Sequence, residues 1–254
     1  MPTFAVANPQ EGVGKTITAV NLGACLAGFG NRVLLVDLDP SAGATRAVCK
    51  QRTVGLYNAL IRGVPVTSAI GETDNAGLDL LPSTREMAFA EGRLVDREHP
   101  ELSIKELLAD VLPGYNWVLL DCPSDIGFLT RSALSMADAV LAPVRCGLVR
   151  PGPLSVLLAA MREVRAELNP ELRSFVIALN MCDGGPETRE AADLLAERYP
   201  RVPLEAVIPD SPSIRDAAEA GQSVFYHAPN SAGARAYQTL ALELATRAQS
   251  LTAA

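Results

Sequence analysis

The chain has 254 residues, 48% of them hydrophobic, 20% charged and 5% aromatic, which is typical of one aliphatic-rich globular domain and excludes a fibrous or disordered protein. Its 22 basic residues are outnumbered by 29 acidic ones, and this net charge of −7 argues against a protein held to nucleic acid mainly by phosphate contacts. The five cysteines are widely spaced and contain no C-x-x-C pair, so we expect small, unpaired, buried residues in a reducing compartment.

The N-terminal segment lacks the basic start and long apolar run of a signal peptide, and no apolar stretch reaches membrane-spanning length. The sequence therefore predicts a soluble, cytoplasmic protein without a membrane partner.

Short apolar runs alternate with longer helical patterns along almost the whole chain. Strands are predicted at residues 4–7, 32–36, 78–81, 117–120, 139–142, 174–179 and 204–207. Helices are predicted at residues 15–27, 88–95, 104–111, 130–136, 154–168, 187–199 and 232–249. This alternation predicts an α/β fold in which residues 1–254 form a single domain: one doubly wound, mostly parallel β-sheet flanked by helices. Ligands of such sheets bind beyond the carboxyl ends of the strands.

The first predicted strand runs into a glycine-rich segment, G-V-G-K-T at residues 12–16, and then into a helix. Small residues let successive backbone N–H groups point at phosphate oxygens, Lys15 can reach the β- and γ-phosphates, and the hydroxyl of Thr16 can ligate Mg²⁺. The positive end of the following helix adds to this attraction. The alternative, an ordinary glycine-rich turn, is disfavoured by the strand before the segment and the amphipathic helix after it.

Acidic residues close two of the buried strands. The strand at 32–36 is followed by Asp37 and Asp39, and the strand at 117–120 is followed by Asp121. A carboxylate at a strand tip beside a phosphate loop is typical of a magnesium site. Each aspartate alone would more often be a helix cap or a turn residue.

Several segments together resemble one family, the ParA/Soj group of deviant Walker A partitioning ATPases, which is related to MinD. They are A-V-A-N-P-Q-E-G-V-G-K-T at 5–16, V-L-L-V-D-L-D-P at 33–40, Y-N-W-V-L-L-D-C-P at 115–123 and V-I-P-D at 207–210. The resemblance covers nearly the entire chain. It implies a P-loop NTPase fold that binds ATP or ADP with Mg²⁺, forms an ATP-dependent homodimer and hydrolyses ATP slowly to ADP and phosphate. It also implies a ParB-like or cargo-adaptor partner and a role in partitioning chromosomes or plasmids or in positioning cellular cargo.

The resemblance also assigns roles to individual residues. Asp39 and Lys15 would be catalytic, with Asp39 positioning the attacking water. Thr16, Asp37 and Asp121 would form the metal side of the site. The phosphates of the nucleotide would be held by the loop residues Glu11, Gly12, Val13, Gly14, Lys15, Thr16 and Ile17. The adenine would be bordered by three residues near the last strands, Asn180, Pro209 and Asp210.

The loop departs from the family pattern K-G-G-V-G-K-T, whose first lysine reaches the partner's nucleotide across the dimer. Gln10 stands at that lysine position, and Glu11 replaces the following glycine. Loss of such a transition-state cation can slow phosphoryl transfer by roughly 10³- to 10⁵-fold. Arg145 or Arg150 could supply the cation in trans, or both could be solvated surface residues.

The charge pattern also argues against DNA binding and, with it, nucleoid association. The segments 183–186 and 209–212, where family members commonly carry DNA-binding arginines, contain none, and residues 171–254 hold seven arginines against eleven acidic residues. In contrast, residues 40–71 contain no acid and four basic residues, which form either a patch for DNA or another anionic partner or a solvated helix face: Arg46, Lys50, Arg52 and Arg62.

Three functions therefore remain open. The first is a ParA-like ATPase, and the second is a non-hydrolysing module of the same fold that recruits a protein when ATP is bound. The third is a MinD-like membrane cycler, which is disfavoured because residues 244–254 contain one arginine and no aromatic residue.

Overall fold

The computed structural model describes residues 1–48, 54–200 and 202–252. These residues form one eight-stranded sheet. The strands are β1 (Thr3–Val6), β2 (Val33–Asp37), β3 (Gly71–Glu72), β4 (Leu78–Leu81), β5 (Trp117–Asp121), β6 (Ala139–Arg145), β7 (Ser174–Cys182) and β8 (Pro203–Pro209). Their order across the sheet is β3-β4-β2-β5-β1-β6-β7-β8, and every pairing is parallel except that of β3 with β4.

Helices connect the strands. They are α1 (Lys15–Gly28), α2 (Gly43–Val48), α3 (Leu56–Arg62), α4 (Val66–Ala69), α5 (Ala90–Arg93), α6 (Ser103–Leu108), α7 (Phe128–Met136), α8 (Pro151–Glu167), α9 (Pro186–Arg198), α10 (Pro212–Glu219), α11 (Val224–His227) and α12 (Ala232–Thr252). Short 3₁₀ turns occur at Arg85–Phe89, Pro100–Leu102, Leu112–Gly114 and Cys146–Leu148. No helix in the described ranges is long and apolar enough to cross a bilayer.

The sheet separates two apolar cores. One core is formed with α1 and α12 and contains the fully buried Tyr237, while α3, α6, α7, α8 and α9 cover the opposite face. Because both faces are covered, β2 and β5 are buried along their whole length, which explains their continuous apolar sequence. The predicted doubly wound, mostly parallel sheet is confirmed.

Differences from the sequence prediction are confined to short elements. The predicted helix at 88–95 is a 3₁₀ turn followed by one helical turn, and the helix predicted at 104–111 ends at Leu108. The structure also contains β3 and five helices of four to eight residues that the sequence pattern does not predict, namely α2, α3, α4, α10 and α11. Such elements are too short to express a helical or strand period, and packing rather than local pattern determines them.

The expectation that all five cysteines are unpaired is wrong. Cys146 and Cys182 form a disulfide, with their Cα atoms 5.3 Å apart. They are 36 residues apart in the chain, and only the parallel pairing of β6 with β7 brings them together. Cys25 and Cys122 are free and buried, as expected, and Cys49 lies outside the described residues.

Candidate functional site

The loop between β1 and α1 is built on two glycines with left-handed backbone. Gly12 has a φ of 71° and Gly14 a φ of 89°, a region that residues with a Cβ atom rarely adopt. At Gly14 a Cβ atom would also lie 2.2 Å from the side-chain nitrogen of Asn180. The tight turn delivers the chain directly into α1 at Lys15, so the N-terminus of a buried helix points at the space beyond the sheet.

Lys15 is the first residue of α1 and lies directly after this loop. Its side chain is largely buried, and Nζ donates hydrogen bonds to Oγ of Ser124 at 2.6 Å and to the backbone oxygen of Gln10 at 3.3 Å. Burial lowers the pKa of the ammonium group, and the nearby carboxylate of Asp121 opposes this shift. Within the part of the chain that the structure describes, Lys15 is thus a buried cation without a directly paired carboxylate, the kind of group that a phosphate could neutralise.

Thr16 and Asp121 meet where α1 begins and β5 ends. Oγ1 of Thr16 donates a 2.8 Å hydrogen bond to Oδ2 of Asp121, whereas Oδ1 of Asp121 is buried and has no hydrogen-bond partner among the described residues. Burial, together with the charge of Asp37, raises the pKa of the Asp121 carboxyl well above its ordinary value. A buried acceptor left without a partner is costly, so this oxygen is suited to a ligand.

Asp37 is the register neighbour of Asp121 across β2 and β5. Its Oδ2 accepts hydrogen bonds from the backbone nitrogen and the hydroxyl of Thr45, at 2.8 and 2.7 Å, and its Oδ1 accepts one from the backbone nitrogen of Asp39 at 3.1 Å. Burial raises the pKa of Asp37 to about 6. Asp37 therefore anchors the segment after β2, which carries the half-buried Asp39 to the same edge of the sheet.

These residues fit a magnesium ion bound together with a nucleotide. Mg²⁺ is usually held by one or two carboxylates and completed by phosphate oxygens and water, so it needs no full cage of protein ligands. Consistent with this, the described ranges contain no cluster of three or more His, Cys, Asp or Glu residues arranged to bind a metal. The unpartnered oxygen of Asp121 and the adjacent hydroxyl of Thr16 are the protein groups best placed for the metal.

Asn180 lies against the phosphate loop. Its Nδ2 donates a 2.8 Å hydrogen bond to the backbone oxygen of Val13, and its Oδ1 accepts one from the backbone nitrogen of Met181. Pro209 is paired with Cys182 at the end of β8, and Asp210 forms an ion pair with Arg215. The three predicted adenine-pocket residues thus share one edge of the sheet, while their contact with adenine stays a prediction.

Gln10 donates two hydrogen bonds within its own chain. Its backbone nitrogen donates to Oδ1 of Asn8, and its side-chain Nε2 donates a 3.2 Å hydrogen bond to the backbone oxygen of Leu148. Glu11 beside it is exposed. Arg145, the last residue of β6, and Arg150, which precedes α8, are also exposed, and neither forms an ion pair within the described ranges.

Sequence reasoning missed three supporting residues. Ser124 receives the Lys15 ammonium, Thr45 holds Asp37, and Asn8 is buried and donates a 2.8 Å hydrogen bond to the backbone oxygen of Pro143. The only available signal was their position two to eight residues beyond a buried strand, which many loop residues share.

The basic stretch gains little support as a binding patch. Arg46 donates to the backbone oxygen of Ser41, and Arg62 forms an ion pair with Glu86. Lys50 and Arg52 lie outside the described residues.

Comparison with known proteins agrees with the fold. A family model described as an AAA domain matches residues 1–174. The chain is 38% identical to the chromosome-partitioning ATPase Soj of Thermus thermophilus, over 97% of this chain and 96% of the relative, and 36% identical to the sporulation initiation inhibitor protein Soj of Bacillus subtilis, over 95% and 97%. Among solved structures, cobyrinic acid a,c-diamide synthase of Mycobacterium smegmatis with a bound ATP analogue and magnesium is similar at a TM-score of 0.85 and 30% identity, covering 98% of this chain and 96% of that one.

Proposed function

The chain belongs to the ParA/Soj family of chromosome-partitioning ATPases, and from that membership we propose that it is an ATP-dependent switch of one domain, residues 1–254, that takes part in partitioning DNA or positioning cellular cargo. The observation that carries the proposal is the pairing of Thr16 with a buried Asp121 whose Oδ1 has no partner, beside the buried Lys15. These groups supply a hydroxyl, a carboxylate and a cation at one point, which is what Mg²⁺ and a triphosphate require.

Bound ATP with Mg²⁺ would supply the phosphoryl group, and the chain's own residues would hold and orient it. Backbone N–H groups around Gly12 and Gly14 would contact phosphate oxygens, and Lys15 would leave Ser124 to reach the terminal phosphates. Thr16 and Asp121 would hold the metal, with Asp37 behind them keeping Asp39 near the attacking water. Asn180, Pro209 and Asp210 would border the adenine.

We propose that the ATP-bound form is a homodimer, as in the family that the sequence resembles, and that a ParB-like or cargo-adaptor protein stimulates it. Arg145 and Arg150 favour an interface at the carboxyl edge of the sheet because both are exposed cations without an ion-pair partner in the described ranges. DNA remains a weaker proposal, since Arg46 and Arg62 already have partners within the chain.

A second candidate is favoured by one specific contact. Gln10 carries no charge and donates its side-chain amide to Leu148 in its own chain, so it cannot act as the cation that the family's first lysine supplies. The chain would then bind ATP, dimerise and recruit a protein with little hydrolysis.

One set of measurements tests both candidates. Mg-ATP binding is measured by calorimetry, dimer formation by sizing with ATP or ADP, and phosphate release with and without duplex DNA at low and high salt. We expect ATP binding and ATP-dependent dimers in the wild type, and neither in Lys15→Ala; Arg189→Ala, which removes an exposed arginine on α9, is the matched control. Failure of the wild type to bind Mg-ATP contradicts the proposal. Dimerisation without phosphate release above the Lys15→Ala background selects the second candidate.

A further inference from the structure

The disulfide between Cys146 and Cys182 lies at the same edge of the sheet as the phosphate loop. Cys146 directly follows β6, and Cys182 is the last residue of β7. We propose that this pair is a reversible thiol–disulfide exchange site, and that its oxidised form holds the phosphate loop and thereby tightens ATP binding. The coupling to ATP rests on the proposed function, whereas the exchange chemistry does not.

Each cysteine is two residues from a group that holds the loop. On the Cys146 side, the backbone oxygen of Leu148 accepts the side-chain hydrogen bond of Gln10 at 3.2 Å. The 3₁₀ turn Cys146–Leu148 joins the two positions rigidly. A shift of Cys146 would therefore move the carbonyl that fixes the start of the loop.

On the Cys182 side, Asn180 donates its hydrogen bond to Val13 at 2.8 Å, and its amide fills the space beside Gly14. Met181, between Asn180 and Cys182, has a φ of 54°, which is strained for a residue with a side chain. Such a conformation persists only where its surroundings enforce it. The disulfide supplies a covalent constraint on one side of Met181, and the hydrogen bond from Asp210 to the backbone oxygen of Cys182 supplies another.

The disulfide thus joins the ends of β6 and β7, and residues beside both ends hold the phosphate loop through hydrogen bonds. Reduction frees Cys182, and the backbone at Met181 can then relax and carry Asn180 away from Val13. The loop must afterwards be ordered by the nucleotide itself, and this ordering weakens binding relative to a preorganised site. Oxidation and ATP binding accordingly favour the same arrangement of the loop.

A cavity gives small thiols access to the bond. It has a volume of about 310 Å³, and Cys146 lines it together with residues of the following turn and of α9: Gly147, Val149, Glu187, Glu190, Ala191 and Leu194. Cys182 is absent from this lining and is only 3% exposed. Cys146, itself 6% exposed, is therefore the cysteine on the cavity side, and we expect an incoming thiolate to attack its sulfur.

The reductant in the exchange is a small thiol and the oxidant is its disulfide, for example reduced and oxidised glutathione. A thiolate attacks the sulfur of Cys146 and forms a mixed disulfide, while Cys182 leaves as a thiolate and takes up a proton. A second small thiolate attacks the small-molecule sulfur of this mixed disulfide and releases Cys146. In sum, two small thiols are oxidised to one disulfide and two protein thiols are formed; the reverse sequence oxidises the protein.

The test uses the full wild-type chain equilibrated in glutathione buffers of different ratio. Free thiols are counted by alkylation and mass spectrometry, and Mg-ATP affinity is measured on the fully oxidised and fully reduced protein. We expect the reduced form to bind at least about fivefold more weakly. Because coupling is reciprocal, saturating Mg-ATP should raise, by the same factor, the ratio of the squared concentration of reduced glutathione to the concentration of oxidised glutathione at which half of the protein is oxidised.

Two variants serve as controls. Cys182→Ala should bind ATP with the affinity of the reduced wild type under all redox conditions, whereas Cys25→Ala, which removes a buried free thiol in α1, should keep the full redox response. Equal ATP affinity in the two redox states, or no disulfide in strongly oxidising buffer, overturns the inference. Absence of ATP binding in both states contradicts the proposed function as well, so the two failures are distinguishable.

The route through the cavity has its own test. Glu187 and Glu190 should repel the glutathione thiolate, which has two net negative charges, more strongly than the 2-mercaptoethanol thiolate, which has one. The double change Glu187→Gln with Glu190→Gln should therefore speed reduction by glutathione at least about twofold at low salt and speed reduction by 2-mercaptoethanol by a smaller factor. Unchanged rates with both thiols overturn this route.

Discussion

Thr16 donates its hydroxyl hydrogen to one carboxylate oxygen of Asp121, at 2.8 Å, and leaves the other oxygen of the same buried carboxylate without a partner. This asymmetry distinguishes a ligand-binding carboxylate from a structural one. The neighbouring Asp37 is equally buried, yet both of its oxygens accept hydrogen bonds from the chain. Asp121 is therefore the carboxylate whose role can be separated from folding by mutation.

The first prediction concerns Asp121→Asn. The variant keeps an acceptor for Thr16 and removes a buried charge whose pKa is already raised, so the ligand-free protein should melt no lower than wild type. Magnesium-dependent ATP binding should fall at least about tenfold because the metal loses a carboxylate. Melting curves and ATP titrations with Mg²⁺ and with EDTA measure both effects. Asp193→Asn, an exposed change on α9, should alter neither, and equal losses in the two variants would contradict the assignment.

The second prediction compares two glycines of the loop. Gly14→Ala combines a positive φ with a Cβ atom 2.2 Å from Asn180 and should lower the free energy of unfolding by at least about 2 kcal/mol. Gly12→Ala also has a positive φ but meets nothing within 4 Å, so strain alone should lower it by about 1 kcal/mol. Urea unfolding measures both. Adding Asn180→Ala should recover part of the loss at Gly14 and none at Gly12.

The third prediction is a pH dependence from Asp37. Its pKa is raised from 3.8 to about 6 in the folded chain, so the folded state binds this proton more tightly than the unfolded state. The contribution to stability is therefore largest below pH 4 and is lost as the pH rises from about 4 to 6, by up to about 3 kcal/mol.

Urea unfolding of wild type and Asp37→Asn across this range tests the sign. The difference in free energy of unfolding, wild type minus variant, should decrease as the pH rises and become constant above about pH 7. A difference that increases with pH would mean that the folded chain holds Asp37 ionised, contrary to its burial.

The fourth prediction addresses Gln10. Gln10→Lys restores the cation of the family pattern, and we expect ATP turnover to rise at least about tenfold, since such cations contribute roughly 10³ to 10⁵ in phosphoryl transfer. Gln10→Ala is the matched control, because it removes the hydrogen bond to Leu148 without adding charge. Phosphate release at saturating ATP is the measurement. An equal rise in the two variants would show that the hydrogen bond to Leu148, rather than the missing cation, limits hydrolysis, and an unchanged rate in Gln10→Lys would contradict the prediction.

The fifth prediction concerns the exposed arginines at the carboxyl edge. If Arg145 or Arg150 acts across a dimer, its alanine variant should bind ATP as a monomer but lose ATP-dependent dimers or turnover. Arg189→Ala on α9 is exposed as well and should behave like wild type. Sizing with ATP and calorimetry separate dimerisation from binding, and wild-type behaviour of both variants would remove the arginines from the proposal.

The sheet can be predicted well from the sequence because strands that are buried on both faces are continuously apolar. Strands such as β2 and β5 are uninterrupted apolar runs closed by aspartate, and the glycine-rich loop lies directly after β1. The loop needs glycine where the backbone is left-handed, so its pattern is fixed locally and can be recognised without tertiary information.

The remaining parts of the site depend on contacts between distant segments. Lys15 and Ser124 are 109 residues apart, and Gln10 and Leu148 are 138 apart. No local pattern encodes such pairs, because they arise only when β5 and β6 pair on either side of β1. For the same reason, no local sequence pattern indicates that Cys146 meets Cys182.

The central place of β1 has a consequence for biosynthesis. Among the eight described strands β1 is made first, yet its two neighbours, β5 and β6, begin at Trp117 and Ala139. The strand that carries the phosphate loop must therefore remain apolar and unpaired until synthesis has passed Asp121, the end of β5. Truncated translation products ending before β5 would expose this strand and aggregate rather than compete for nucleotide.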